Sequence, residues 1–252
     1  MPELNKAQAR LLKVIMSFCQ KNNDSDLMKF WLLENHRCID KWAHYFPVYE
    51  QWFKKFRGTD VVFVEIGVQN GGSIQMWKNY FGNKAQIVGV DIDPRCKQFE
   101  EEQIAIEIGS QDDPNFWSAF KTKYPRVDIL LDDGGHEMNQ QIVTFQQMFP
   151  HISEGGVYMC EDCHTSYWSE RNGGVRREGT YIEFAKNLID ELNAFHTRGA
   201  LPPTYNTMQM GGGIHFYDSI VVIEKRLVDV EPFPLRIGPP TIFNWPEDNS
   251  VY

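Results

Sequence analysis

Val61-Val62-Phe63-Val64-Glu65-Ile66-Gly67-Val68-Gln69-Asn70-Gly71-Gly72-Ser73 is an apolar run that stops at glycines and passes into an amphipathic stretch. A strand that ends in a glycine turn and opens a helix lets the backbone approach a nucleotide-like ligand. The rhythm continues downstream. Apolar runs at 61–66, 86–91, 104–108, 127–132 and 156–160 alternate with amphipathic stretches at 73–81, 94–101, 114–121 and 139–149. Strands alternating with helices predict a parallel sheet covered by helices on both faces. A long helix is expected over 181–196, with Ile182, Ala185, Leu188, Ile189, Leu192 and Phe195 on one side. The runs at 213–217 and 220–224 that follow are separated only by Asp218-Ser219. So short a link makes a hairpin, and a hairpin forces antiparallel pairing. The sheet is therefore expected to end with a reversed strand.

Residues 1–58 read as a helical, aromatic-rich cap, in which Leu11, Leu12, Ile15, Met16 and Cys19 recur at helix spacing, as do Trp31, Leu32 and Leu33 against later aromatics. Residues 59–230 form the expected catalytic domain. The tail 231–252, with Pro232, Pro234, Pro239, Pro240 and Pro246, is expected to be extended. Among 252 residues, 42% are hydrophobic, enough for a real core. Lys and Arg number 25 against 34 Asp and Glu, a net charge of −9, which argues against a basic face for nucleic acid or an anionic membrane. The opening Met1-Pro-Glu-Leu-Asn-Lys has no apolar signal region, and the apolar runs are too short to span a bilayer. Five cysteines make no disulfide scaffold, so a soluble cytoplasmic protein is expected. Cys160 and Cys163 spell CxxC, but Cys19, Cys38 and Cys96 supply no second pair for a structural zinc.

Chemistry concentrates at the carboxyl ends of the runs. Asp91 ends the second, about twenty residues past the glycines, where an acid accepts hydrogen bonds from ribose hydroxyls. Gly109-Ser110-Gln111-Asp112 ends the third, as an adenine edge or a polar turn. Gln69 stands where a dinucleotide fingerprint has its middle glycine. Asp132-Asp133-Gly134-Gly135-His136 ends the fourth run and Glu161-Asp162-Cys163-His164 the fifth. Adjacent parallel strands bring such ends to one crevice. Converging carboxylates repel unless a cation or proton offsets them, and an oxygen-rich set suits Mg²⁺. A solvated acidic rim is the plain alternative.

These motifs, Glu65-x-Gly67-x-x-x-Gly71-Gly72-Ser73, the Asp91-Ile92-Asp93 strand end, Asp132 to His136 and Glu161 to Trp168, resemble those of class I S-adenosylmethionine-dependent methyltransferases. They are most similar to the Mg²⁺-dependent macrocin and mycinamicin sugar O-methyltransferases, as are Asp40 to Tyr49 and His215 to Lys225. The resemblance runs from about residue 40 to 225. It implies a Rossmann-like, doubly wound α/β fold with a mostly parallel seven-stranded sheet and a reversed last strand. It implies that Glu65, Gly67 and Ser73 line the methionine end of the cofactor, with Asp91 at the ribose and Ser110, Gln111 and Asp132 around the nucleoside. Tyr49 and Lys41 would close over it from the cap. Asp133, Glu161 and Asp162 match the family's metal ligands and His136 its general base. His164 stands where several relatives carry an aromatic residue, which leaves the identity of the base open between His136 and His164.

The implied reaction is O-methylation of a vicinal diol on a small hydroxylated acceptor, a sugar of a natural product, glycan or nucleotide sugar. A hydroxyl is a poor nucleophile until it is coordinated or deprotonated, which is what a divalent ion and a histidine supply. A catechol-type methyltransferase ranks second, an NAD-dependent oxidoreductase third and a non-catalytic nucleotide-binding module last. No nucleic-acid or membrane partner is expected, and homo-oligomerisation stays open.

Overall fold

The computed structural model describes residues 25–33, 37–235 and 237–239, together with 17 and 242. The helix expected around Leu11 to Cys19, and Pro240 and Pro246 of the tail, lie outside the described residues. Seven strands form one sheet: β1 (Val62–Ile66), β2 (Gln86–Asp91), β3 (Ile104–Ile108), β4 (Val127–Asp132), β5 (Ile152–Cys160), β6 (Ile214–Tyr217) and β7 (Ile220–Glu224). Their order is β3-β2-β1-β4-β5-β7-β6, with β1 to β5 parallel and β7 antiparallel to both neighbours. The α-helices are α1 (Asp26–Leu33), α2 (Phe46–Phe53), α3 (Gly72–Phe81), α4 (Pro114–Lys123), α5 (Met138–Met148) and α6 (Tyr181–Leu192). This is a Rossmann-like, doubly wound α/β topology with one reversed strand. The reversed strand is last in the chain but lies inside the sheet, and β6 takes the edge.

Three elements differ from the sequence expectation. The 94–101 stretch is a 3₁₀ helix, Pro94–Phe99. The long helix stops at Leu192, where the Asn193 side chain takes the Ile189 carbonyl at 2.8 Å and a 3₁₀ turn, Ala194–His196, follows. Its buried face is Tyr181, Ala185 and Leu188, while Ile189 is exposed. β5 starts at Ile152, four residues before the apolar run, and the register against β4 shifts between Val127 and Ile129. No helix among the described residues is long and apolar enough to cross a membrane.

Strand side chains alternate between faces, so each strand feeds two cores. Phe63, Ile87, Ile129, Leu131, Val157 and Met159 pack with α1, α2 and α3 on one face. Val64, Val88, Leu130, Tyr158 and Cys160 pack with α4, α5 and α6 on the other. On the first face Phe53 stacks on Tyr49 at 5.9 Å and meets the edges of Phe63 at 5.8 Å and Trp77 at 5.6 Å. The described part of the 1–58 region thus shares its core with the sheet. Phe53→Ala should cost about 3–5 kcal/mol in urea unfolding. It should do so in a single transition, because α2 has no core of its own, and a second, earlier transition would contradict the shared core.

Candidate functional site

The alternation carries one residue past the strand ends. Glu65, Asp133 and Glu161 have the parity of Phe63, Leu131 and Met159 and point to the α2–α3 face. Asp132 has the parity of Leu130 and points the other way. Lys41, just ahead of α2, reaches into the gap between the three acids: its Nζ donates to Glu65 Oε1 at 3.2 Å, to Glu161 Oε1 at 2.9 Å and to Asp133 Oδ2. Burial alone would lower the Lys41 pKa, but the charges of Asp133, Glu161 and Glu65 hold it well above its ordinary value. Tyr49 donates to Glu161 Oε2 at 2.5 Å, and Tyr45 to Asp162 Oδ1 at 2.7 Å. The two phenols are four residues apart and so face the same way, onto two consecutive acids. Glu65 also accepts from Ser73 Oγ at 2.6 Å and Trp77 Nε1 at 3.0 Å.

Left-handed backbone turns complete the arrangement. His136 has φ 56° and Asp162 φ 54°, conformations uncommon outside glycine. They fold the loops after β4 and β5 back on each other. His136 Nε2 comes within 3.4 Å of Asp162 Oδ2 and 3.8 Å of Asp133 Oδ1. Asp133, His136 and Asp162 each offer a ligand atom, all within 4.8 Å of one another. His136 Nδ1 is buried and makes no hydrogen bond. His164 sits beside this cluster, with Nδ1 3.0 Å from Ser219 Oγ and 3.8 Å from Asp162 Oδ1. Gly67, at φ +93°, is pressed against the same loop, since a Cβ there would lie 2.0 Å from the Asp133 carbonyl oxygen.

A cavity of about 520 Å³ opens from the cluster across the carboxyl ends of β1 to β4, within the range of small-molecule sites. Asp133, His136, Glu161 and Asp162 line one end, Asp91, Ser110 and Gln111 the other, and Gly67 lies along the wall. Asp91 is oriented by three backbone amides: Oδ2 accepts from Val68 at 2.9 Å and Gln69 at 3.0 Å, and Oδ1 from Asp93 at 2.9 Å. Ser110 hydrogen-bonds Asp112.

Four residues expected on the cofactor lie behind the wall. Glu65, Ser73 and Tyr49 are not on the cavity surface and instead hold the Lys41 network. Asp132 is buried on the opposite face, where it accepts from Gln111 Nε2 at 2.9 Å and its pKa is raised by burial. Gln111, only 5% exposed, also takes Gly135 N on Oε1 at 2.8 Å and is largely a brace between the β3 and β4 loops. The contacts of Tyr45, Trp77 and Ser219 with these acids and with His164 have no motif of their own in the sequence. The four-residue spacing of Tyr45 and Tyr49 is the signal for the first, while Ser219 reads as part of a hairpin turn. Cys160 and Cys163 are buried free thiols.

No family model matches the chain. It is 34% identical over 198 residues to the 8-demethyl-8-alpha-L-rhamnosyl tetracenomycin-C 2'-O-methyltransferase of Streptomyces olivaceus, which covers 74% of this chain and 52% of that protein. It is 32% identical over 200 residues to the demethylmacrocin O-methyltransferase of Streptomyces fradiae, covering 73% and 50%. It is 32% identical over 208 residues to the mycinamicin VI 2''-O-methyltransferase of Micromonospora griseorubida, covering 77% and 51%. The chain therefore spans about half the length of the curated relatives it matches. Among solved structures, the MycE methyltransferase of the mycinamycin biosynthetic pathway, in complex with Mg, SAH and mycinamycin VI, superposes with a TM-score of 0.73 at 26% identity. The match covers 99% of this chain and 67% of that one.

The site stores a shortage of positive charge, and this has a pH signature. Burial raises the Asp133 pKa to about 7; Lys41 opposes that rise, and Glu65 adds to it. The unfolded carboxyl titrates near 3.9. Between about 3.9 and 7 the folded chain keeps a proton that the unfolded chain has lost, so stability falls as pH rises through this window. Without added metal, the free energy of unfolding read from urea titrations should drop from pH 5 to pH 8 by a few kcal/mol, at about 1.4 kcal/mol per pKa unit. Asp133→Asn should flatten that slope, and an unchanged slope in the variant would refute this reading.

Proposed function

We propose, from its similarity to sugar O-methyltransferases of the macrocin and mycinamicin type, that the chain is an S-adenosylmethionine- and Mg²⁺-dependent O-methyltransferase. Its acceptor would be a hydroxyl of a vicinal diol on a glycosylated small molecule. The observation that carries this is the Asp133–His136–Asp162 cluster at one end of a cavity whose other end is lined by Asp91 and Ser110.

The residues fit a hard divalent ion: Asp133 and Asp162 offer carboxylate oxygens within reach of one another, and the His136 imidazole beside them has its Nδ1 buried without a partner. In this reading Asp133 and Asp162 hold the ion. Glu161 is the third carboxylate, anchored by Lys41 and Tyr49. When bound, the ion would orient two adjacent acceptor oxygens and acidify one hydroxyl, and S-adenosylmethionine would supply the methyl group.

The protein's own groups do the rest. Asp91, already fixed by three amide donors, two on Oδ2 and one on Oδ1, keeps a lone pair on Oδ1 for a ribose hydroxyl. Ser110 and Gln111 border the nucleoside. His136, whose Nε2 lies 3.4 Å from Asp162 Oδ2 and 3.8 Å from Asp133 Oδ1, takes the acceptor's proton. His164, tied to Ser219 and close to Asp162, acts as a positioning residue for that carboxylate. Tyr45 does the same from the other side. Holding acceptor and cofactor in line supplies much of the rate.

Calorimetry should show S-adenosylhomocysteine binding and no NAD binding. His136→Ala should lower kcat by roughly 10²–10⁴-fold with S-adenosylhomocysteine affinity near wild type. Asp162→Asn should weaken Mg²⁺ binding while the fold persists. NAD binding without a response to S-adenosylhomocysteine, or full turnover after dialysis against EDTA, would overturn the proposal.

A further inference from the structure

In the acidic cluster the two oxygens of each carboxylate have different neighbours. Asp162 turns Oδ2 to His136 Nε2 at 3.4 Å, while its Oδ1 accepts from Tyr45 Oη at 2.7 Å. Asp133 turns Oδ1 to His136 Nε2 at 3.8 Å, while its Oδ2 accepts from Lys41 Nζ. Glu161 has a donor on each oxygen, Lys41 on Oε1 at 2.9 Å and Tyr49 on Oε2 at 2.5 Å. The donors Lys41, Tyr45 and Tyr49 recur every four residues, so one side of the segment leading through α2 backs the whole cluster. The backing is firmly held. Tyr45 and Tyr49 are buried, and Tyr49 stacks on Phe53 at 5.9 Å and meets Trp77 at 5.2 Å. Lys41 is bound in turn by Glu65, which also accepts from Ser73 and Trp77. His164 Nδ1 stands 3.8 Å from Asp162 Oδ1 but is hydrogen-bonded to Ser219 Oγ at 3.0 Å, so Tyr45 supplies the hydrogen bond on that oxygen.

An ion entering among Asp133, His136 and Asp162 therefore meets single carboxylate oxygens. To chelate it with both oxygens, Asp162 would have to swing Oδ1 off Tyr45, or Asp133 its Oδ2 off Lys41. Either motion strands a buried donor, which is unfavourable. The common hard ions differ in how far they need that motion. Mg²⁺ demands an octahedron of oxygens at about 2.0–2.1 Å, is content with one or two carboxylates and keeps several waters. Ca²⁺ takes roughly six to eight oxygens at about 2.3–2.6 Å and gains from chelating carboxylates in a yielding site.

We propose that Lys41, Tyr45 and Tyr49 set the metal selectivity of the site by limiting each carboxylate to one oxygen, so that Mg²⁺ is admitted and Ca²⁺ is discriminated against. Tyr45 is the positioning residue on which this turns, because its hydroxyl decides whether Asp162 meets the ion with one oxygen or two. This rests on the Mg²⁺-dependent reading of the cluster and concerns how that ion is chosen.

The test follows binding of MgCl₂ and of CaCl₂ to the full chain, stripped of metal, by calorimetry, with S-adenosylhomocysteine affinity as the control for an intact fold. The wild-type chain should bind Mg²⁺ at least about tenfold more tightly than Ca²⁺. Tyr45→Phe keeps the ring and removes the hydroxyl, which leaves Asp162 Oδ1 free to turn. The ratio of the two Kd values should then shift toward Ca²⁺ by about fivefold or more. Most of that shift should come from tighter Ca²⁺ binding, a change that a general loosening of the site would not produce. Tyr49→Phe, which frees Glu161 Oε2, should act in the same direction, and it carries the test if Tyr45→Phe no longer binds S-adenosylhomocysteine. Ca²⁺ binding as tightly as Mg²⁺ in the wild type, or a ratio that stays at the wild-type value in the folded phenylalanine variants, would overturn the inference. A chain that binds S-adenosylhomocysteine normally but neither ion would overturn the metal-dependent reading beneath it instead.

Discussion

One ammonium group organises this site. Lys41 Nζ is enclosed by Glu65 from β1, Asp133 from the β4 loop and Glu161 from the β5 loop, and its side chain is about as buried as those of Glu65 and Glu161. A buried charge is tolerable only when it is paired and hydrogen-bonded. Each acid depends on the lysine, and the lysine depends on all three. The segment before α2 is therefore tied to the centre of the sheet by electrostatics as well as by the Phe53, Phe63 and Trp77 contacts. Three carboxylates against one ammonium still leave a deficit, and Asp162 enlarges it. Burial and the neighbouring carboxylates push the Asp133 and Glu161 pKa values up, which favours keeping a proton among these acids.

The way the acids divide follows from the two-residue period of a strand. Asp132 and Asp133 are neighbours in sequence and opposites in role. Asp132 shares a face with Leu130, meets Gln111 and braces a loop; Asp133 shares a face with Leu131 and meets Lys41. The β4–β5 register sets Asp132 opposite Cys160, so that Asp133 and Glu161 follow side by side. Asp162 would then fall on the far face, but its left-handed backbone breaks the alternation and returns its carboxylate to His136. Two strained residues, His136 and Asp162, thus convert two parallel strand ends into one cluster, with the strain placed where chemistry is proposed.

The reversed strand also serves the site. Because β7 is inserted between β5 and β6, the turn at Asp218-Ser219 lies beside the β5 loop. Cys163 N donates to the Ser219 carbonyl at 3.0 Å, and Ser219 Oγ contacts His164 at 3.0 Å. A hairpin that looks like sheet closure is also the support for a histidine next to Asp162. The same support holds His164 between Trp42 and Trp168.

The alternation of apolar runs and amphipathic stretches, the short Asp218-Ser219 link and the acidic strand ends were enough to determine the sheet, its reversed strand and the crevice where acids converge. Those features are local or follow from strand order. The motifs at Asp132 to His136 and Glu161 to His164 likewise marked the residues to watch. What the sequence left open depended on contacts between distant segments. Nothing local distinguishes a lysine that lines a cavity from one that is locked among Glu65, Asp133 and Glu161, residues 24 to 120 positions away. Nor does the sequence show that Tyr45 reaches Asp162 across 117 positions, or that Glu65 and Ser73 turn their hydrogen bonds away from the cavity. Strand order is set by short-range pattern, whereas the partner of each buried charge is set by which side chains the completed sheet brings within 3 Å or so of one another, and that only the tertiary structure decided.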